Sequence, residues 1–67
     1  MTDFTCRFMM EGGYMGPAIT ISRLNLDAAI EDALEQVNMD IRRRGFELSL
    51  DGQCRHQFAR RVIEAAF

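Results

Sequence analysis

NLDAAIEDALEQVNMDIRRRG, residues 25–45, sets the architecture of this chain, because it has the features of one amphipathic helix. Asn25 is a good N-cap, since its side-chain oxygen can accept a hydrogen bond from a free backbone N–H of the first turn. Gly45 can adopt the left-handed conformation that often ends a helix. We therefore predict one central helix. Its apolar residues recur on one face: Leu26, Ile30, Ala33, Val37 and Ile41.

The runs on either side of this helix alternate apolar and polar residues, which is the pattern of half-buried strands. The first covers residues 2–10, the second residues 18–23 and the third residues 46–50. Residues 11–17 contain three glycines and end in Gly16-Pro17, so we predict a loop there. The first two strands are expected to form an antiparallel hairpin, and the third to complete a small sheet.

Residues 53–67 fit two structures. As a helix, Cys54, Phe58 and Val62 share a face, and the alanines near the end favour this interpretation. As a strand, the segment would follow a tight turn at Asp51-Gly52. We predict the helix and keep the strand as the alternative. The chain is then one α+β domain, residues 1–67, in which the small antiparallel sheet packs on the central helix in two layers. The element order is ββαβα, or ββαββ in the alternative.

Size and composition are those of a small globular protein. The 67 residues are 48% hydrophobic and carry a formal net charge of −2. So short a chain has a small core, and a homodimer or a bound partner would add stability. No apolar run approaches the roughly 20 residues that span a bilayer, and the first residues lack the layout of a signal peptide. We expect a cytoplasmic protein in which Cys6 and Cys54 are small buried hydrophobes.

Two features favour a protein-binding role. Asp27, Glu31 and Glu35 align on one helix face although like charges at this spacing repel, so they are candidates for contact with a basic partner. The simpler alternative is a solvated face, with Glu35 close to Arg42. Tyr14-Met15 lies at the predicted loop tip, and both residue types are enriched at binding surfaces. The alternative is that these two side chains fold back over the core.

All eight basic residues are arginine, whose planar guanidinium suits carboxylate and phosphate. The run Arg42-Arg43-Arg44 would stabilise the carbonyls at the predicted helix end. The functional alternative is an anion-binding cluster of Arg42, Arg43, Arg60 and Arg61. The negative net charge argues against a general nucleic-acid binder, which is usually strongly basic.

No pattern in the chain indicates catalysis, a metal or a cofactor. Cys6, Cys54 and His56 lack the paired spacing of structural zinc sites, and no third group is evident to orient a cysteine–histidine pair. The glycines of residues 11–17 match neither the P-loop nor the dinucleotide fingerprint. We therefore expect no enzyme, no metal and no cofactor.

The segments AITISRLNLDAAIEDALEQ and RRRGFELSLDG give a strand, an acidic helix and a returning strand in a very short chain. In this respect the chain resembles the small proteins with which phages and other mobile elements inhibit host defences, including the anti-CRISPR proteins. The resemblance implies a compact protein that blocks a surface of a larger complex in the host cytoplasm. It carries over no functional residue, because that group shares no diagnostic motif.

From these features we expect a non-enzymatic inhibitor that binds a basic surface of a larger protein or ribonucleoprotein complex. Direct binding to nucleic acid or to a membrane is not expected. Two alternatives stay open, namely an arginine-dependent nucleic-acid-binding protein and a small homo-oligomeric accessory subunit.

Overall fold

The computed structural model describes residues 1–60, which form a four-stranded antiparallel sheet covered on one face by a single helix. This arrangement confirms a small α+β fold with a helix layer on a sheet layer. The elements in chain order are β1 (Thr2–Met10), β2 (Ile19–Arg23), α1 (Leu26–Asn38), β3 (Arg43–Leu50) and β4 (Gln53–Ala59).

The sheet has the strand order β2-β1-β3-β4, so β1 is paired along both of its sides. Its partner on one side is β2, with Phe4 opposite Ile21. Its partner on the other side is β3, with Phe8 opposite Phe46. The predicted hairpin of the first two strands is thereby confirmed, and the third strand joins the sheet beside the first rather than beside the second.

The core lies between the helix and the inner face of the sheet. Directly opposite residues of antiparallel strands project to the same face, and the inner-face residues in the middle of β1, β2 and β3 are almost fully buried. The helix contributes small side chains, which allow it to approach the phenylalanines of the sheet closely. The buried residues are Phe4, Cys6, Phe8, Ile21, Ala29, Ala33, Val37, Phe46 and Leu48.

The helix begins where the sequence predicts and ends earlier. Asn25 caps it, with its Oδ1 accepting from the N–H of Ala28 at 2.9 Å. The predicted end at Gly45 is wrong, because the last helical residue is Asn38. Asp40 forms a competing local turn, in which its side chain accepts from the N–H of Arg42 at 2.9 Å. Ile41, predicted to continue the apolar stripe, is therefore exposed.

Gly45 is a strand residue and not a helix terminator. It lies in β3 opposite Met9 of β1 and Ala59 of β4. A Cβ atom at this position would overlap the carbonyl oxygen of Phe58 and lie 2.9 Å from the Cα of Ala59. Glycine is needed here for the close approach of two strands, a requirement that a sequence pattern does not distinguish from helix capping.

Residues 53–59 form a strand, so the predicted helix over this part of the chain is wrong and the order through residue 60 is ββαββ. Asp51 and Gly52 have φ angles of 53° and 77°, which are the signs of the two-residue turn that matches strand twist. β4 then pairs with β3, with Phe58 opposite Phe46. The turn and this pairing make residues 53–59 the fourth strand of the sheet. The remainder of the predicted helix, residues 61–67, lies outside the described residues.

We expect Gly45→Ala to lower the free energy of unfolding by at least about 3 kcal/mol, the upper part of the range for overpacking, because the obstructing atoms belong to the backbone. Urea denaturation followed by circular dichroism measures this. Gly16→Ala is the matched control, since its Cβ would meet its nearest heavy atom, the Phe8 carbonyl oxygen, at an ordinary 3.5 Å. Equal unfolding midpoints for the two variants would contradict the close strand approach at Gly45.

Candidate functional site

One end of the domain gathers most of the features that could bind a partner. Strand β1 and helix α1 both finish at this end, while β2 and β3 start there, so the β1–β2 loop and the turn after the helix are neighbours. Three large apolar side chains in these two connections are more than half exposed: Tyr14 at 61%, Met39 at 77% and Ile41 at 87%. We call these three residues the apolar tip.

The β1–β2 loop folds back on β1 as a short hairpin. Gly12 and Gly13 take positive φ angles at its turn, after which Met15 bridges to Met9. Because neighbouring residues of an extended chain point to opposite faces, Met15 shares the open face of the sheet with Met9, and Tyr14 points to the helix side. The structure therefore does not bring the two predicted contact residues Tyr14 and Met15 onto one face.

Contacts between the two connections hold Tyr14 beside the turn that follows the helix. The N–H of Glu11 donates to the carbonyl of Arg42 at 2.6 Å, and the carboxylate of Glu11 lies 3.7 Å from the guanidinium of Arg44. The pKa of Arg42 is raised, first by hydrogen bonding to Asp40 and more weakly by the nearby Tyr14 and Glu11. The β1–β2 loop, which carries Tyr14, therefore adjoins the turn that carries Met39 and Ile41.

The three predicted acidic contact residues lie on the outer face of α1. Asp27, Glu31 and Glu35 are exposed, and in the described residues none of them has an ion pair or a side-chain hydrogen bond. We call them the acidic row. Its spacing of four residues continues to Met39, which is still in helical conformation at the C-cap. The acidic row therefore leads into the apolar tip, whereas Met15 lies on the opposite side of the molecule.

Arginines near the acidic row are engaged with other carboxylates. Arg23 pairs with Asp32. Arg42 binds Asp40 through Nε at 3.3 Å and Nη2 at 3.2 Å, and these hydrogen bonds lower the pKa of Asp40. The contact between Glu35 and Arg42 that an extended helix would allow does not form, because the helix ends before Arg42.

Two arginines stabilise the end of the helix, though neither belongs to it. Nη1 of Arg43, in β3, donates to the Gln36 carbonyl at 2.8 Å. Nη2 of Arg60, just after β4, donates to the Val37 carbonyl at 3.1 Å. The expected interaction between arginine and the helix end is therefore present, but placing residues 42–44 within the helix was wrong.

The predicted anion-binding cluster is divided by these contacts. Arg42 is paired with Asp40, while Arg43 and Arg60 donate hydrogen bonds to carbonyls at the end of the helix. Arg61 lies outside the described residues. No free clamp of several arginines on one ligand is present among residues 1–60.

A cavity of about 270 Å³ opens beside the apolar tip. It lies at the end of the sheet beside the last turn of α1, which contributes Gln36, and its apolar wall consists of Phe8, Met10, Pro17 and Ile19. Arg43 lies over the ring of Phe8, 4.3 Å from its centroid. Sequence reasoning missed this cavity, because it depends on the helix ending at Asn38 and on the turn that follows.

The two cysteines have different environments. Cys6 is buried in the core and Cys54 is exposed on β4, so the expectation of burial is confirmed for Cys6 and wrong for Cys54. Desolvation, with a smaller contribution from the charge of Asp32, raises the pKa of Cys6 to about 11. Cys6 is therefore protonated at neutral pH. Within residues 1–60, no three histidine, cysteine or acidic side chains are grouped to hold a metal ion.

We expect Cys54 to react rapidly with Ellman's reagent at pH 8 in the folded protein, and Cys6 at least about a hundredfold more slowly, since both ionisation and access are suppressed. The absorbance of the coloured thiolate that the reagent releases gives both reaction rates. The Cys54→Ser variant should lose the fast phase and show its remaining thiol only after unfolding in urea. Two equally fast thiols would contradict the buried position of Cys6.

Comparisons of the chain with protein-family models, with curated proteins and with solved structures found no match. What the protein binds therefore has to be inferred from its own surfaces.

Proposed function

We propose that the protein is a small non-enzymatic binding module that covers a basic surface on a larger protein. The observation that carries the proposal is the continuity of the acidic row with the apolar tip. Asp27, Glu31, Glu35 and Met39 follow one another at intervals of four residues along the outer face of α1. Protein interfaces combine a polar rim with an apolar centre. The acidic row can supply the first and the apolar tip the second.

The acidic row contributes association rate and orientation. Its carboxylates have no partner within residues 1–60, although three other acidic residues, Glu11, Asp32 and Asp40, are paired with arginines. Carboxylates held in this way on a rigid helix attract a basic surface and steer the encounter. The mutual repulsion within the row is relieved when lysines or arginines of a partner approach.

The apolar tip contributes the contacts that slow dissociation. Tyr14, Met39 and Ile41 are three exposed apolar side chains in two neighbouring connections, and exposed apolar patches often mark interaction sites. Tyrosine is enriched among the residues that dominate binding energy, and methionine adapts its shape to irregular surfaces. Hydrogen bonds within the two connections, and one between them, already order the backbone of this region, so little backbone conformational entropy is lost on binding.

The narrower form of the proposal is an inhibitor, encoded by a phage or another mobile element, that blocks a host complex in the cytoplasm. It is supported by the resemblance in size and in the succession of strand, acidic helix and strand. No helix among the described residues is long and apolar enough to cross a membrane. A homodimer and an accessory subunit remain predictions that sedimentation velocity of the purified chain would test.

Replacing the acidic row by glutamine (Asp27→Gln, Glu31→Gln, Glu35→Gln) should leave stability unchanged or slightly higher, because repulsion is removed. Once a partner protein has been isolated by affinity capture, its association with this variant should be slower and should lose most of its salt dependence. Surface plasmon resonance at several salt concentrations measures both effects. The control variant Asp3→Asn, Glu47→Gln, Asp51→Asn removes the same number of negative charges from other surfaces. Equal effects of the two triple variants would show that binding depends on the net charge of the protein, and would contradict a local contact at the acidic row.

Tyr14→Ala and Ile41→Ala should each accelerate dissociation from the same partner by about tenfold or more, with little change in association rate, because an apolar anchor is removed. Leu24→Ala is the control, since Leu24 is equally exposed at the opposite end of the domain. Unchanged dissociation in both tip variants would place the interface elsewhere.

Submicromolar, salt-sensitive binding of the purified chain to DNA or RNA would favour the arginine-dependent alternative.

A further inference from the structure

The cavity beside the apolar tip has the composition of a ligand site. Its wall is formed by aromatic and aliphatic side chains from the end of the sheet. The inner-face residues Met10 and Ile19 are only partly buried there, because α1 ends at Asn38 and the chain turns away. Small-molecule sites typically combine such an apolar wall with a few polar groups that fix orientation.

Arg43 supplies the charged group of this site, beside the amide of Gln36. Its guanidinium is held in place by stacking on Phe8 and by one hydrogen bond, from Nη1 to the carbonyl of Gln36. A guanidinium has further N–H donors at Nε and Nη2. No carboxylate of residues 1–60 lies within ion-pair distance of Arg43. Its charge and its remaining donors are therefore available to a ligand.

The charge of the cavity follows from its three ionised residues. Asp40 and Arg42, which also line it, form a two-contact ion pair with each other and are neutral as a pair. Arg43 leaves one uncompensated positive charge next to apolar surface. This arrangement favours an anion with an apolar body over a cation or a fully polar anion.

The volume limits the size of the ligand. At about 270 Å³ the cavity is below the range of roughly 300–1,000 Å³ that is usual for drug-sized ligands and cofactors. A nucleotide is therefore too large to be enclosed. One aromatic ring or one branched aliphatic chain with a short acidic group is a suitable size.

We propose that this cavity binds a compact apolar carboxylate, with the apolar body against Met10, Pro17 and Ile19 and the carboxylate on the guanidinium of Arg43. Planar arginine and planar carboxylate form charge-assisted hydrogen bonds that are stronger than neutral ones. Such a ligand is either a free organic acid or the C-terminal residue of another protein. The site is independent of the acidic row, and its occupation does not require the proposed partner.

The test is an NMR titration of the ¹⁵N-labelled protein with 3-phenylpropionate and, in parallel, with 3-phenylpropionamide. The acid should shift the backbone amides of Phe8, Gly16 and Ile19, with a dissociation constant of about 1 mM or tighter for a ligand of this size. The amide should bind at least about tenfold more weakly, because it lacks the charge-assisted hydrogen bonds. Equal binding of the two probes, or no shifts at these residues up to ~20 mM acid, would overturn the proposal.

Arg43→Gln and Arg60→Gln form a matched pair of variants, since each removes an arginine that donates to a carbonyl at the end of α1. Only Arg43 lines the cavity. Arg43→Gln should weaken binding of 3-phenylpropionate about tenfold or more, and Arg60→Gln should leave it unchanged. Equal losses in the two variants would show that the effect comes from the helix end and overturn the role of Arg43. Should Arg43→Gln fail to fold, the comparison of acid with amide on the unaltered protein decides the proposal alone.

A third titration distinguishes the two sources of the ligand. A short peptide ending in phenylalanine is compared with the same peptide carrying a C-terminal amide. Binding of the free-acid peptide at least as tight as that of 3-phenylpropionate identifies a chain terminus as the ligand, and binding of the small acid alone identifies a free organic acid. Either result supports the carboxylate site. Failure of this site would leave the kinetics of the acidic-row variants unaffected, so the two proposals are tested separately.

Discussion

The pairing of β1 with β3 is the constraint on which the rest of the structure depends. It places Phe8 opposite Phe46 and Cys6 opposite Leu48, which are four of the buried residues that hold the helix on the sheet. To pair with the far end of β1, the returning strand has to start at Arg43. The chain must then leave the helix before that residue, so the pairing of the strands sets the length of the helix.

Several surface features are consequences of this early helix end. Ile41, which a longer helix would place on the core, is exposed and belongs to the apolar tip. Asp40 and Arg42 form a local ion pair in the turn. The end of the sheet is left partly uncovered, and the cavity forms there. The candidate binding features thus lie where a short helix meets longer strands.

Arginine has three different roles at this end of the domain. Arg42 neutralises a carboxylate of the turn. Arg60 donates to the Val37 carbonyl and to the side-chain oxygen of Asn38, and Arg43 both donates to the helix and stacks on Phe8. Arg44 reaches Glu11 of the β1–β2 loop, whereas Arg43 reaches the helix, so the three consecutive arginines 42–44 do not converge on one ligand. A run of like residues in a sequence therefore does not imply a shared site.

The sequence by itself determined the start of the helix, the first hairpin and the outward position of the acidic row. These features depend on local chemistry, namely the capping group of Asn25, the alternation in β1 and the spacing of Asp27, Glu31 and Glu35 along one element. The tertiary structure alone decided where the helix ends, that residues 53–59 form a strand, and that Gly45 permits the close approach of two strands. The physical reason is that pairing with a distant strand satisfies a whole row of backbone hydrogen bonds and outweighs the small intrinsic preferences of single residues. The cavity and the division of the arginines follow from that pairing and have no local signal.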